Sequence, residues 1–220
     1  MQSPDAPWHE EVLDEAVEQT LKELLRAGVL ECFYLAGGTG LALHLGHRRS
    51  ADFDFFKTEA FEEETLLERL QQIPGLALVA KGAATLHTMI QGTKTSFLGY
   101  NYPVLYPLGS FHGIQVADPK DIAGMKISAV ASRGSRRDFV DLYALSQKYG
   151  LEKLLETFHR KFAKVNYSTV HVLKSLTYFE DAEQEPMPDM LVPLAWEEVK
   201  QFFCREVPPL LGRFEGESGT

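Results

Sequence analysis

Positive charge, cysteine and long apolar runs are all scarce in this chain of 220 residues. Lysine and arginine number 22 against 31 acidic residues, a net charge of −9, which argues against a broad non-specific nucleic-acid surface. That balance leaves room for a local basic site: Arg48 adjoins Arg49, and Lys126, Arg133, Arg136 and Arg137 cluster within one short region. Cys32 and Cys204 are the two cysteines, and nothing in their spacing pairs them, so a reducing, cytoplasmic setting is expected rather than a disulfide scaffold. No stretch of eighteen apolar residues occurs, so neither a membrane span nor a membrane partner is expected. The first ten residues are polar and acidic, unlike a secretory signal. Internal repeats and low-complexity segments are absent too. The remaining composition, 45% hydrophobic and 24% charged, is that of a globular protein able to bury one large core or two small ones.

Residues 35–56 carry the densest pattern. They read as strand end, glycine turn, short helix, basic turn and second strand. Gly37 and Gly38 let the backbone turn sharply and approach a ligand closely, because neither carries a Cβ. Leu41, Ala42, Leu43 and Leu45 continue as a helix, whose start offers free N–H groups and a positive dipole end to phosphate. Side chains alternate along a strand, so Asp52 and Asp54 share one side while Phe53 and Phe55 enter the core. Two adjacent carboxylates repel unless a cation lies between them, and such hard oxygen donors suit Mg²⁺ or Mn²⁺ arriving with substrate phosphates. Gly37, Gly38 and Thr39, with Arg48 and Ser50 from the basic turn, form the expected phosphate side; Asp52 and Asp54 form the metal side. His44 and His47 lie on the helix and in the turn, and no cysteine or histidine partner stands at zinc spacing.

A phosphate-cradling turn one short helix away from a carboxylate pair is the layout of a nucleotidyltransferase. The stretch resembles the glycine-glycine and Asp-x-Asp motifs of the DNA polymerase beta-type nucleotidyltransferase superfamily. More narrowly, it resembles the AbiEii/AbiGii toxin family. A second unit, Lys126-x-x-Ala129-x-x-x-Arg133 followed by Arg137-Asp138-x-x-Asp141, resembles two further motifs of that family. The resemblance places these residues on the helical side of a cleft, facing the nucleotide. There Lys126, Arg133 and Arg137 would meet the triphosphate, and Asp138 or Asp141 would orient a cation or act as base. Asp138 is equally explained as the acid of a helix cap, and Asp141 as an i, i+4 partner of Arg137.

The rest of the chain supplies the frame. Helical periodicity is expected over residues 8–27 and 61–73, strands over 76–79, 85–91 and 93–99 as an antiparallel meander, a loop over 101–110 and a last strand over 113–117. Asp118-Pro119 opens a helix, Ser135 caps the next, and further helices are expected over 151–162, 168–180 and 196–205. The fold class is therefore α+β, a nucleotidyltransferase-like mixed β-sheet flanked by helices and followed by a C-terminal helical bundle. The expected division is residues 1–117, 118–213 closing the cleft, and a disordered tail over 214–220.

The functional expectation is Mg²⁺-dependent transfer of a nucleoside monophosphate from an NTP to an acceptor hydroxyl. The resemblance implies the toxin of a toxin–antitoxin or phage-defence pair, with RNA such as tRNA as acceptor and an antitoxin as partner. One departure stands out. The strand where related enzymes place a third carboxylate, residues 93–99, has no acid and offers Ser96 instead, leaving Asp118, Asp121 or Asp141 to assist. Three rivals follow: a nucleotide-binding module without turnover, an interaction protein using the aromatic loop 97–106, and a kinase transferring the γ-phosphate from the same site.

Overall fold

The computed structural model describes residues 8–217. The secretory-signal expectation therefore falls mostly, and the tail expectation partly, outside the described residues. The chain divides into two compact units, Met1–Asp118 and Pro119–Thr220.

The first unit is built on a seven-stranded mixed sheet in the order β3-β4-β5-β2-β1-β7-β6. A 3₁₀ turn, Glu10–Val12, precedes α1, Glu15–Arg26. The long helix expected from residue 8 thus starts later, because Asp14 caps it by accepting the Val17 N–H at 2.9 Å. Gly28, at φ +64°, follows its C-cap Ala27. Strand β1, Tyr34–Leu35, leads into α2, Gly37–Leu45, and back through β2, Phe53–Lys57, antiparallel to β1. Helix α3, Glu63–Leu70, precedes the expected meander β3, Leu76–Gly82, β4, Thr85–Ile90, and β5, Thr93–Gly99. Two hairpin strands, β6, Gly109–Phe111, and β7, Ile114–Val116, close the unit; β6 was expected to be loop.

Register decides what the sheet presents. β5 runs parallel to β2, pairing Phe55 with Phe97 and Asp54 with Ser96. Paired residues share a face. One face carries Phe53, Phe55 and Phe97, each fully buried, with ring centroids 5.5 and 5.6 Å apart in succession. Phe33 joins them edge-on at 5.2 Å from Phe97. The opposite face carries Asp54, Phe56 and Ser96. Hydrophobic burial of the aromatic face thus fixes which way Asp54 points, since a one-residue slip would invert both sets.

The second unit is helical: α4, Pro119–Arg133, α5, Arg136–Tyr149, α6, Leu151–Lys161, α7, Thr169–Ser175, α8, Glu180–Glu183, and α9, Trp196–Glu217. The helix expected over 168–180 breaks after Ser175. The last helix, expected to end at 205, continues past Pro208 and Pro209. A proline in a helix interior loses a hydrogen bond and crowds the preceding turn. Here Val207 and Leu210 are buried on either side of the pair, and that burial opposes the loss. The core gathers round Phe139, whose ring lies 5.1 Å from Phe179, 5.9 Å from Trp196 and 5.6 Å from Phe203.

Among the described residues, no helix is long and apolar enough to cross a membrane. Cys32 and Cys204 are both exposed and free.

Beneath α4, Lys161 Nζ bonds Asp121 Oδ1 at 2.8 Å, each side chain about 1% exposed. A buried pair of this kind is costly to break and cheap to replace as a pair. Lys161→Met should therefore destabilise the chain by roughly 3–5 kcal/mol in urea unfolding. The double variant Lys161→Met/Asp121→Leu should recover most of that loss.

Candidate functional site

The glycine pair forms the first turn of α2 itself rather than a turn ahead of it, with Ala36 as N-cap. The helix's first ladder bond runs from the Gly40 N–H to the Ala36 carbonyl at 3.1 Å. The N–H groups of Gly37, Gly38 and Thr39 stand ahead of that ladder, at the positive end of the helix.

Both glycines are needed for contact. Gly37 has φ +62°, and a Cβ built there would lie 2.6 Å from Asp54 Oδ2. A Cβ on Gly38 would lie 2.5 Å from Arg48 Nη2 and 3.3 Å from Ser50 Oγ. The bare Cα atoms thus let a carboxylate and a guanidinium close on the helix start together. Arg48 is 4% exposed, and its Nη1 donates to the Arg49 carbonyl at 2.9 Å. Asp54 is tied by its backbone as well, since its carbonyl accepts the Ala36 N–H at 3.0 Å.

Thr39 engages its hydroxyl within the protein. Its side chain is buried, lies 2.8 Å from Ser50 Oγ and donates to the Asp52 carbonyl. It locks the residue before β2 to the helix, while its backbone N–H stays ahead of the helix's ladder. Asp52 itself sits one residue ahead of β2, half-buried like Asp54. His44 bonds the Ala117 carbonyl at 2.9 Å and packs against Trp8, a structural use in keeping with the absence of zinc spacing. Among the described residues, no group of three or more His, Cys, Asp or Glu is placed to hold a metal ion. The Asp54 carboxylate at the helix start, with Asp52 two residues before it, still fits a hydrated Mg²⁺ or Mn²⁺, because Mg²⁺ retains waters and shares substrate phosphates instead of needing a full protein cage.

In the second unit the motif residues converge on one buried cluster. Lys126 Nζ bonds Asp138 Oδ1 at 3.0 Å and Asp141 Oδ2 at 2.7 Å. The Lys126, Asp138 and Asp141 side chains are 8%, 1% and 0% exposed. Asp141 is therefore buried against Lys126 rather than set on an exposed helix surface. Asp138 does serve the cap, taking a bond from the Ser135 hydroxyl at 2.7 Å, and it also binds Arg133 Nε at 2.7 Å. Burial alone would raise the Asp138 carboxyl, but Lys126, Arg133 and the Ser135 hydroxyl outweigh it and hold the group down at about 2. Arg133 and Arg137 are exposed.

Comparison with known proteins bears on the family and the fold. The family model described as "Nucleotidyl transferase AbiEii toxin, Type IV TA system" matches residues 19–109 and 100–215. An uncharacterised protein of Aquifex aeolicus is 37% identical over 205 residues, 90% of this chain and 98% of its own. Among solved structures, a putative nucleotidyltransferase from H. pylori superposes with a TM-score of 0.51 at 18% identity, covering 93% of this chain and 98% of its own. MenT4, a nucleotidyltransferase toxin of Mycobacterium tuberculosis H37Rv, superposes with a TM-score of 0.52 at 16% identity, covering 90% of this chain and 87% of its own. At these identities the structural likeness concerns the fold, a nucleotidyltransferase fold.

Two measurements test this geometry. Gly37→Ala places a Cβ on the Asp54 carboxylate in a left-handed conformation, so it should cost roughly 1–3 kcal/mol in thermal or urea unfolding. Asp138, at about 2 when folded against an ordinary 3.8, contributes about 2 kcal/mol that is fully present above pH 4. That contribution should fade as pH falls from 4 through 2, and the corresponding pH dependence of stability should be missing from Asp138→Asn.

Proposed function

We propose, on the premise that this chain belongs to the AbiEii nucleotidyltransferase toxin family, that it moves a nucleoside monophosphate from an NTP to an acceptor hydroxyl. The observation that carries this reading is the Asp54 carboxylate lying against the Gly37 backbone at the start of α2. Metal donors and phosphate-binding N–H groups then sit within one contact of each other, as nucleotide chemistry requires.

On this reading Asp52 and Asp54 hold Mg²⁺ or Mn²⁺ together with the NTP. The divalent ion, when bound, supplies charge neutralisation at the reacting phosphates. The N–H groups of Gly37, Gly38 and Thr39 hold phosphate oxygens. Arg48, buried beside Gly38, adds fixed positive charge there, and Ser50, hydrogen-bonded to Thr39, completes the phosphate side. The reading extends to the second motif: Arg133 and Arg137 serve as phosphate-binding cations, with Asp138 orienting Arg133. Lys126 and Asp141 act as a catalytic pair in which the two aspartates hold the lysine charged and in place. The acceptor is an RNA hydroxyl, tRNA being the candidate, and the cellular role is that of a toxin restrained by a cognate antitoxin.

Binding without turnover is the second reading, favoured by one observation: the residue paired with Asp54 on β5 is Ser96, not an acid. The two readings separate by product. Incubation with each α-labelled NTP, Mg²⁺ and cellular RNA should yield labelled RNA and pyrophosphate. Asp52→Asn and Asp54→Asn should each lower the yield by at least about 10³-fold. Release of NDP would instead indicate γ-phosphate transfer, and NTP binding with no product at all would leave only the binding module.

A further inference from the structure

The acid pair does not end the polar surface of its sheet face. β5 runs beside β2 and pairs Ser96 with Asp54; β4 runs beside β5 and pairs His87 with Ser96. Asp54, Ser96 and His87 therefore form one row on one face across three strands, spanning about 10 Å at the ordinary strand spacing. Within that row His87 Nδ1 and Ser96 Oγ are 3.0 Å apart. Ser96 is 2% exposed, whereas the imidazole is half-buried and open to a ligand. The alternating neighbours of His87 on the other face, Leu86 and Thr88, are fully buried, so the ring cannot turn through the sheet.

We propose that His87 is the general base that takes the proton of the acceptor hydroxyl, and that Ser96 is the positioning residue that fixes its tautomer. This rests on the nucleotidyl-transfer reading above. The reasoning is electrostatic. Ser96 lies between a carboxylate strand and an imidazole strand. The negative charge of the acid pair draws the Ser96 O–H dipole toward Asp54, which leaves the Ser96 oxygen to accept from Nδ1–H. Nε2 then carries the lone pair and points away from the hydrogen bond that holds the ring. Imidazole in that state is the commonest general base, and the row provides no carboxylate on β5 to compete for the task. Lys94, two residues before Ser96 on the same face of β5, is exposed.

The step balances as follows. The acceptor oxygen forms its bond to the α-phosphorus. The bond from the α-phosphorus to the bridging oxygen breaks, and pyrophosphate leaves with that electron pair. The acceptor proton passes to His87 Nε2.

Two independent readouts test this in the full chain. In ¹⁵N NMR of the nucleotide-free protein, His87, assigned through His87→Gln, should show its proton on Nδ1 in wild type and shift toward the Nε2-protonated form in Ser96→Ala. In the labelled-NTP assay, His87→Gln should lower kcat by about 10²–10⁴-fold with KM for NTP unchanged, and Ser96→Ala should fall between it and wild type. Nε2 protonation in wild type, or wild-type kcat in His87→Gln, overturns the proposal while leaving the transfer reading intact. Binding of NTP and Mg²⁺ by wild type with no transfer to RNA overturns the transfer reading, and the base role with it.

Discussion

A carboxylate pressed against a bare backbone governs the first unit. Asp54 reaches the start of α2 because Gly37 has no Cβ and takes a left-handed φ. The aromatic residues on either side of it, Phe53 and Phe55, are sealed into the opposite face of the sheet. Neither half works alone. Without the aromatic burial, the strand's register would not be pinned; without the glycine, the acid could not approach the N–H groups. Arg48 and Ser50 repeat the device one residue on, against Gly38. Opposite charges are thus brought to the same helix start from two directions, and the hydroxyl of Thr39 ties the helix to the entry of β2.

The second unit manages charge differently. It buries lysines against carboxylates: Lys126 meets Asp138 and Asp141, and Lys161 meets Asp121. Burying an unpaired ammonium would cost far more than a helix can recover, so the pairs also dictate how α4 meets α5 and α6. For Asp138 the same arrangement combines three tasks, helix cap, lysine partner and arginine partner, in one carboxylate. A residue that satisfies a cap and belongs to a charged cluster gives two correct readings of one letter.

Much of this was legible from the letters, for identifiable reasons. Aromatic–acid alternation in β2, the meander turns and the Ser135 cap are local signals, and each appears in the folded chain. The partners of Lys126 were less legible. A seven-residue spacing fixes a helix face but not what the neighbouring helix brings to it. The second hairpin was missed because β6 is three residues long and follows a proline-rich loop. Extension of α9 through two prolines is a tertiary effect that no local rule contains. His87 went unnoticed although the letters held a clue. A two-residue turn at Gln91 and Gly92 pairs Ile90 with Thr93, and counting outward pairs His87 with Ser96.

We read the start of α2, Asp52 just ahead of β2 and Asp54 within it as one site for a metal-bound nucleotide. Paramagnetic broadening reads this most directly. Mn²⁺ added with a non-hydrolysable NTP to ¹⁵N-labelled protein should extinguish the amide signals of Gly37, Gly38, Asp52 and Asp54 before others, with Mg²⁺ restoring them. Broadening centred elsewhere, with those four amides left sharp, would contradict the account.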